Sequence, residues 1–344
     1  MKTVKPNYFD DFKCSASLCT DSCCKFWQVE IDDESAETYI CWINESNERG
    51  LLLKDSVVGR RHMRMKHNSV GDCCFLQKDG LCKLQCAAGH SALPYTCRMF
   101  PRFLNVYGNY EEIGLSFSCP TAAELIVGRE MILVEAEDDR SIYDFTEVDA
   151  ELFFSLKNLR KTIFKYIDEF DGSIELLMSS VAHFAYNAQT LIDKHDTMSL
   201  SELSINDFPS FIIETLNVKR EKIVKHHLKN CILNNEWKDL LEKSLRNSVS
   251  LEINEFKCWL KYFLFRYLIK AAEDGKIYQK VKAAIVSYFV IAGLGVSFVN
   301  GAQKYSKEIE HNEKNIARLT SISKKIRFKS IENGRLTHYN VDIN

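Results

Sequence analysis

FKCSASLCTDSCC, residues 12–24, carries four cysteines within eleven residues, spaced C-x4-C-x3-C-C. Thiols packed this closely are either disulfide-bonded or metal-bound, and each choice dictates a different kind of fold. Working outward, Cys41 follows, then Cys73, Cys74, Cys82 and Cys86, then Cys97 and Cys119. Eleven of the thirteen cysteines therefore lie in the first 119 residues, and only Cys231 and Cys258 lie beyond. The leading MKTVKPNYFDDFKC shows no apolar core of a signal peptide and no cleavage site, so the expectation is a cytoplasmic protein. In a reducing compartment, clustered thiols read as metal ligands. Their odd number and the length of the chain also argue against a disulfide-stapled miniprotein.

Composition sets the outer limits. The chain has 344 residues, 46% of them hydrophobic, which is enough to bury a core. Its net charge of −2 excludes nucleic acid as an expected partner, because phosphate binding needs a concentrated basic surface. The last 44 residues hold nine Lys/Arg against five acidic side chains, which reads as a solvated helix face and tail. The alternative for that stretch is a surface for an acidic protein or a phosphate-bearing ligand. The uncharged run AAIVSYFVIAGLGVSFV, residues 283–299, is 17 residues long. That is short of the roughly 20 needed to span a bilayer, so it reads as a buried core helix and no membrane span is expected.

Periodicity divides the chain. Residues 1–125 are rich in Cys and Pro and read as an irregular metal-binding module, with ligand bonds standing in for a large core. Within it, Trp27–Ile31 alternates apolar and polar like a brief strand, and Asp32-Asp33-Glu34-Ser35 reads as a helix start. In residues 126–344, Leu152, Leu156, Leu159, Ile163, Ile167 and Phe170 recur at helical spacing, and Asp171-Gly172-Ser173 ends that helix. A second helix is predicted over Ile174–Ile192, another through Phe256–Leu268, and a break at Asn206–Pro209. The expected fold class is thus mainly α, an irregular cysteine-rich module followed by an α-helical domain.

The cysteine spacing fits no common local metal motif. No C-x2-C occurs, which excludes paired zinc knuckles and the bacterial ferredoxin run. Cys19-x3-Cys23 begins a radical-SAM loop, but Phe26 occupies the third position. Ligands must therefore be collected from distant segments. Soft thiolates select zinc or iron–sulfur clusters.

The segments PNYFDDFKC, then C-x4-C-x3-CC-x2-W-x-V-x-ID, then C-x-FL-x4-LC-x-LQ, then L-x3-CR-x-FPR, then LSFSCP occur in this order, the detailed match running from Asn7 to about Ala123. This order resembles the flagellin lysine N-methylase family and, more distantly, small bacterial domains described as zinc- or iron-chelating. The resemblance implies a mainly helical protein that transfers methyl groups from S-adenosylmethionine to surface lysines of flagellin, with a 4Fe-4S cluster in the site. It places the metal cysteines at Cys14, Cys19, Cys23, Cys24, Cys73, Cys82, Cys97 and Cys119. The family pattern has Pro at the position of Cys74 and no cysteine at those of Cys41 and Cys86. These three, with Cys231 and Cys258, read as buried thiols. There is no glycine-rich Rossmann fingerprint, since Gly293-Leu-Gly295 sits in an apolar run. Any S-adenosylmethionine site must therefore use the cluster neighbourhood in another way.

Three further residues are candidates for the chemistry. Arg98 and Arg102 flank Pro101 and could grip a carboxylate, hydrogen-bond cluster sulfurs, or simply tie an irregular loop. Tyr95 is a base or a packing residue. Trp27 reads as a shield over the metal. His90, between Cys86 and Cys97, is the histidine placed to substitute for a thiolate. The remaining histidines read as surface groups. Two rival readings stay open: a zinc-stabilised protein-binding scaffold, and an iron–sulfur redox protein without methyl transfer.

Overall fold

A computed structural model describes residues 2–45, 47–59, 62–136, 148–230, 232, 234–332 and 335–338. Cys231 lies outside them. The described residues are mainly helical, with fifteen α-helices. Ala150–Glu169 is helical because Asp149 caps it, accepting from the Leu152 amide at 3.0 Å, and because Phe153, Leu156, Leu159, Ile163 and Ile167 share one buried stripe. Ser173 caps Ile174–Asp193 in the same way, accepting from Leu176. Both helices match the sequence-based bounds to within two residues.

The helix Ile277–Gly293 is the axis of the bundle. Fifteen of its 17 residues are buried. It packs against Ile174–Asp193, Ile253–Tyr267, Phe298–Ile309 and Glu313–Lys325. The apolar run expected as one helix is in fact interrupted. Gly295 takes φ +73°, a left-handed turn that an L side chain resists, and a new helix starts at Phe298. No helix among the described residues is long and apolar enough to cross a membrane.

The N-terminal module is more ordered than its composition suggests. Lys2–Pro6 is an inner strand of a four-stranded sheet. It pairs parallel with Tyr110–Leu115 and antiparallel with Leu133–Ala136, and Arg102–Tyr107 adds the outer antiparallel strand. This sheet corrects the irregular reading. Its strands come from three separate stretches of chain, and one carries Glu112 at a fully buried position, which hides the alternation. Glu112 is held there by Arg160, which donates to both carboxylate oxygens, and by the Tyr110 hydroxyl. Trp27–Ile31 is likewise not a strand beyond a single bridge at Glu30, although Val29 and Ile31 do alternate inward.

Hydrophobic packing forms two clusters. The larger joins the sheet residues Val4, Tyr110 and Leu115, and also Phe117 and Cys119, to the helical bundle. The smaller spans Val29 to Leu93 and centres on Tyr39, Leu53, Phe75 and Leu84, with Cys24, Cys82 and Cys97 packed against it. The helix Asp33–Glu45 begins at the predicted place, because Asp32 caps it through the Ser35 amide. It crosses Glu48–Lys54 so closely that a β-carbon on Gly50 would sit 1.9 Å from the Trp42 carbonyl oxygen.

Candidate functional site

The cysteine segments are stitched together by backbone. The Cys73 amide donates to the Cys24 carbonyl at 2.8 Å, and Lys25 bridges Asp72 beside it. Leu76 bridges Cys82, which opens the helix Lys83–Ala88, and Cys97 lies in the helix Tyr95–Met99. All twelve described cysteines are free thiols.

Electrostatics report which thiols are neighbours. Burial pushes the Cys97 thiol up to about 12, and Cys24 and Cys82 add to the shift. Burial raises Cys82 too, with Cys24 contributing. Cys73 is raised by its hydrogen bond to Cys74 and by burial, and it also feels Cys24. Cys24 accepts from Cys23 and is lowered to about 7, with Lys307 helping despite burial. Cys24, Cys73, Cys82 and Cys97 therefore form one neighbourhood. Burial lifts Cys119 to about 11, and its thiol neighbours are Cys19 and Cys14, which makes a second. Cys23 feels Cys97 of the first group and Cys14 of the second, and stands between them.

The donor chemistry of both groups suits a thiophilic metal. Among the described residues, no group of three or more His, Cys, Asp or Glu side chains converges on a single metal-holding point. The burial expectation for three thiols is corrected. Cys41 and Cys86 are exposed on helix faces, and Cys74 is exposed with its thiol on the Ser56 carbonyl at 3.4 Å. An amphipathic helix turns a cysteine outward as readily as inward, and composition alone does not say which. Cys258 is half-buried, as a packing thiol would be, and burial pushes it up to about 12.

Tyr95, Arg98 and Arg102 do not converge. Tyr95 is 46% exposed, and it is its backbone amide, not its ring, that is engaged, at 2.6 Å from Asp32. Arg98 donates to the Ser91 carbonyl at 3.3 Å. Arg102 lies over the rings of Phe9 and Phe12, at 5.8 and 5.4 Å. His90 is exposed on the turn His90–Ala92.

What the sequence reading missed is a polar network where the motif segments meet the bundle. Trp27 donates to the Cys23 carbonyl at 2.6 Å, and its ring stands 4.8 Å from Phe100 and 4.7 Å from His311. His311 Nε2 lies 2.8 Å from Ser118 Oγ and 3.3 Å from Ser116 Oγ, both from the LSFSCP segment. Arg266 donates to Ser116 at 3.0 Å and pairs with Glu310 at 3.2 Å, while Tyr262 donates to Glu310 at 2.6 Å. Lys307 reaches Asp21 at 2.5 Å and the Ser22 carbonyl at 3.3 Å, and Gln303 donates to the other Asp21 oxygen at 2.8 Å. None of the bundle residues in this network sits in a recognisable motif. The one signal available was the pair of serines two apart in LSFSCP. A separate cleft of about 360 Å³ lies between the helices Pro120–Val127, Ala150–Glu169 and Ile253–Tyr267, lined by Arg129, Met131, Asp168, Lys257 and Lys261.

Comparison with known proteins adds a second line. The chain is 27% identical over 211 residues to the "Lysine-N-methylase" of Salmonella choleraesuis, covering 58% of this chain and 50% of that protein. The Lysine-N-methylase of Salmonella typhimurium aligns with the same identity and coverage. A "Flagellar biosynthetic protein FliU" of Salmonella muenchen is 29% identical over 134 residues, 36% of this chain and 76% of that protein. The chain spans about half the length of the Lysine-N-methylases it matches. No family model and no solved structure matches it. The resemblance to the lysine N-methylase family, first read from the ordered cysteine segments, stands on these alignments.

Proposed function

We propose that this chain, a relative of the lysine-N-methylases, transfers methyl groups from S-adenosylmethionine to lysine side chains of flagellin. The observation that carries this reading is the gathering of Cys24, Cys73, Cys82 and Cys97 from three motif segments, beside the network of Trp27 and His311. Three of these four thiols would hold a 4Fe-4S cluster and leave one iron without a protein ligand, and Cys14, Cys19 and Cys119, with Cys23, make up the second thiol group. A bound cluster would supply a thiophilic anchor with an open coordination position for the amino-acid end of S-adenosylmethionine.

The chain's own residues perform the rest. Asp21, held by Lys307 and Gln303, fixes the loop that presents Cys23 and Cys24. Trp27 donates its indole N–H to the Cys23 carbonyl and ties that loop in place. The substrate lysine must arrive as a neutral amine, because an ammonium has no lone pair. Burial, with the charges of Arg266 and Lys307 beside it, holds the His311 imidazole well below its ordinary pKa, so it stays neutral next to the cysteine loop.

The test is incubation of anaerobically purified protein, its metal content measured, with flagellin and S-adenosylmethionine. Flagellin should gain mass in whole methyl steps at lysines. Unmodified flagellin with the metal site filled would refute the reading, and stoichiometric zinc without sulfide would favour the scaffold.

A further inference from the structure

We infer that the cleft between the helices Pro120–Val127, Ala150–Glu169 and Ile253–Tyr267 is a binding site for a small organic monoanion, a carboxylate that carries an apolar body. The site is separate from the proposed methyl-transfer chemistry and uses none of the clustered thiols. It takes the far end of the helix Pro120–Val127, eight residues and so about 12 Å from the helix cap at Cys119. A volume of about 360 Å³ is that of a small-molecule pocket, far more than one water fills.

The walls divide by chemistry. Ile126, Met131 and Ile167 are buried and form an apolar floor. The half-buried Cys258 lies beside them, its Sγ 3.8 Å from the Ile126 carbonyl oxygen. Above the floor, the cations Arg129, Lys257 and Lys261 stand against the carboxylates Asp168 and Glu130, which leaves one positive charge in excess. Lys257 and Lys261 are one turn apart on the helix Ile253–Tyr267, so both side chains face the cleft together.

These cations are under-used as donors. Lys261 is only 5% exposed, and its ammonium carries three N–H groups. Among the described residues it has one hydrogen-bond acceptor, Asp168 at 2.7 Å, while the Phe164 ring covers another side at 5.5 Å. A buried N–H without an acceptor is costly, and the cleft is open to supply one. Lys257 spends one N–H on the Phe170 carbonyl at 2.6 Å and keeps two. Arg129 meets Asp11 only at 3.8 Å and at the surface, so its planar fork is available to a carboxylate. A carboxylate across Lys257 and Lys261 matches the single surplus charge, and an apolar body then covers Ile126, Met131 and Ile167. A bare phosphate leaves that floor wet, and a cationic ligand meets like charge.

The experiment titrates the full-length, metal-loaded protein calorimetrically with 4-phenylbutyrate, and with 4-phenylbutan-1-ol, 4-phenylbutylamine and inorganic phosphate as matched probes. The butyrate should bind one to one with a dissociation constant of about 1 mM, as expected for a ligand of its size, and the other three at least tenfold more weakly. Lys257→Gln and Lys261→Gln should each weaken it about tenfold, the effect of losing a charged hydrogen bond. Val127→Trp, at an exposed position on the rim, should block the cleft with every cation in place. Equal binding of the alcohol would reduce the site to an apolar surface, and equal binding of phosphate to a bare cationic patch; either overturns the assignment. So does tighter binding of the amine, no butyrate binding at 20 mM, or affinity within twofold of wild type in all three variants.

Discussion

The Lys307 ammonium stands 2.5 Å from the Asp21 carboxylate, across 286 residues of chain. The pair pins the tip of the first cysteine loop to the helix Phe298–Ile309, and the Lys307 side chain is only 8% exposed. Lys307→Met should cost about 1.5–3 kcal/mol, the range for a hydrogen bond to a charged group. Denaturant unfolding would read the loss. Alkylation of Cys23 and Cys24 in the folded protein should also become faster, and an unchanged rate would show that the loop is held by other contacts.

The two thiol neighbourhoods predict unequal roles for neighbouring cysteines. Cys24→Ser or Cys97→Ser should abolish most of the bound metal, whereas Cys41→Ser and Cys86→Ser, exposed on helix surfaces, should retain it. Elemental analysis and acid-labile sulfide on anaerobic protein check this. Equal losses from Cys41→Ser would disprove the grouping.

Arg160 and Glu112 tie the sheet to the helix Ala150–Glu169 with both side chains almost wholly buried. Glu112→Leu leaves a guanidinium uncompensated and should destabilise by about 3–5 kcal/mol. Replacing both, as Glu112→Leu with Arg160→Met, should recover most of that, because two apolar side chains need no partners. Urea denaturation of the single and double variants decides it.

Lys282 sits inside the axial helix and donates to the Ile326 carbonyl at 2.8 Å. Burial, aided by repulsion from Arg327, brings its pKa down to about 7. An unfolded lysine titrates near 10.4, so between those values the unfolded chain holds a proton that the native state has shed. Stability contributed by this residue therefore rises with pH through that window and is flat below it. Measured against Lys282→Met, the wild type should gain up to about 1.4 kcal/mol per pH unit from pH 7.5 to 9.5. Paired thermal melts would show it, and a pH-independent difference would contradict it.

Legibility followed the kind of signal each element carries. The helices Ala150–Glu169 and Ile174–Asp193 were readable because their caps and apolar stripes are local. The sheet was not, because Lys2–Pro6 finds its partners more than a hundred residues away and a buried ion pair interrupts the pattern at Glu112. In the candidate site, cysteine spacing exposed the motif segments but nothing marked His311, Arg266 or Lys307. Their roles arise from where the bundle places them, and no local spacing records that.

The sequence by itself determined the helical character of the second part of the chain, the concentration of thiols in the first, and the ordered segments that carry the resemblance. These depend on short-range periodicity and residue chemistry. Only the tertiary structure decided which thiols are neighbours, that Cys41, Cys74 and Cys86 face outward, and that Trp27 meets His311. Those relationships depend on long-range packing, in which residues nearly three hundred positions apart are brought to hydrogen-bonding distance by burial of a shared core.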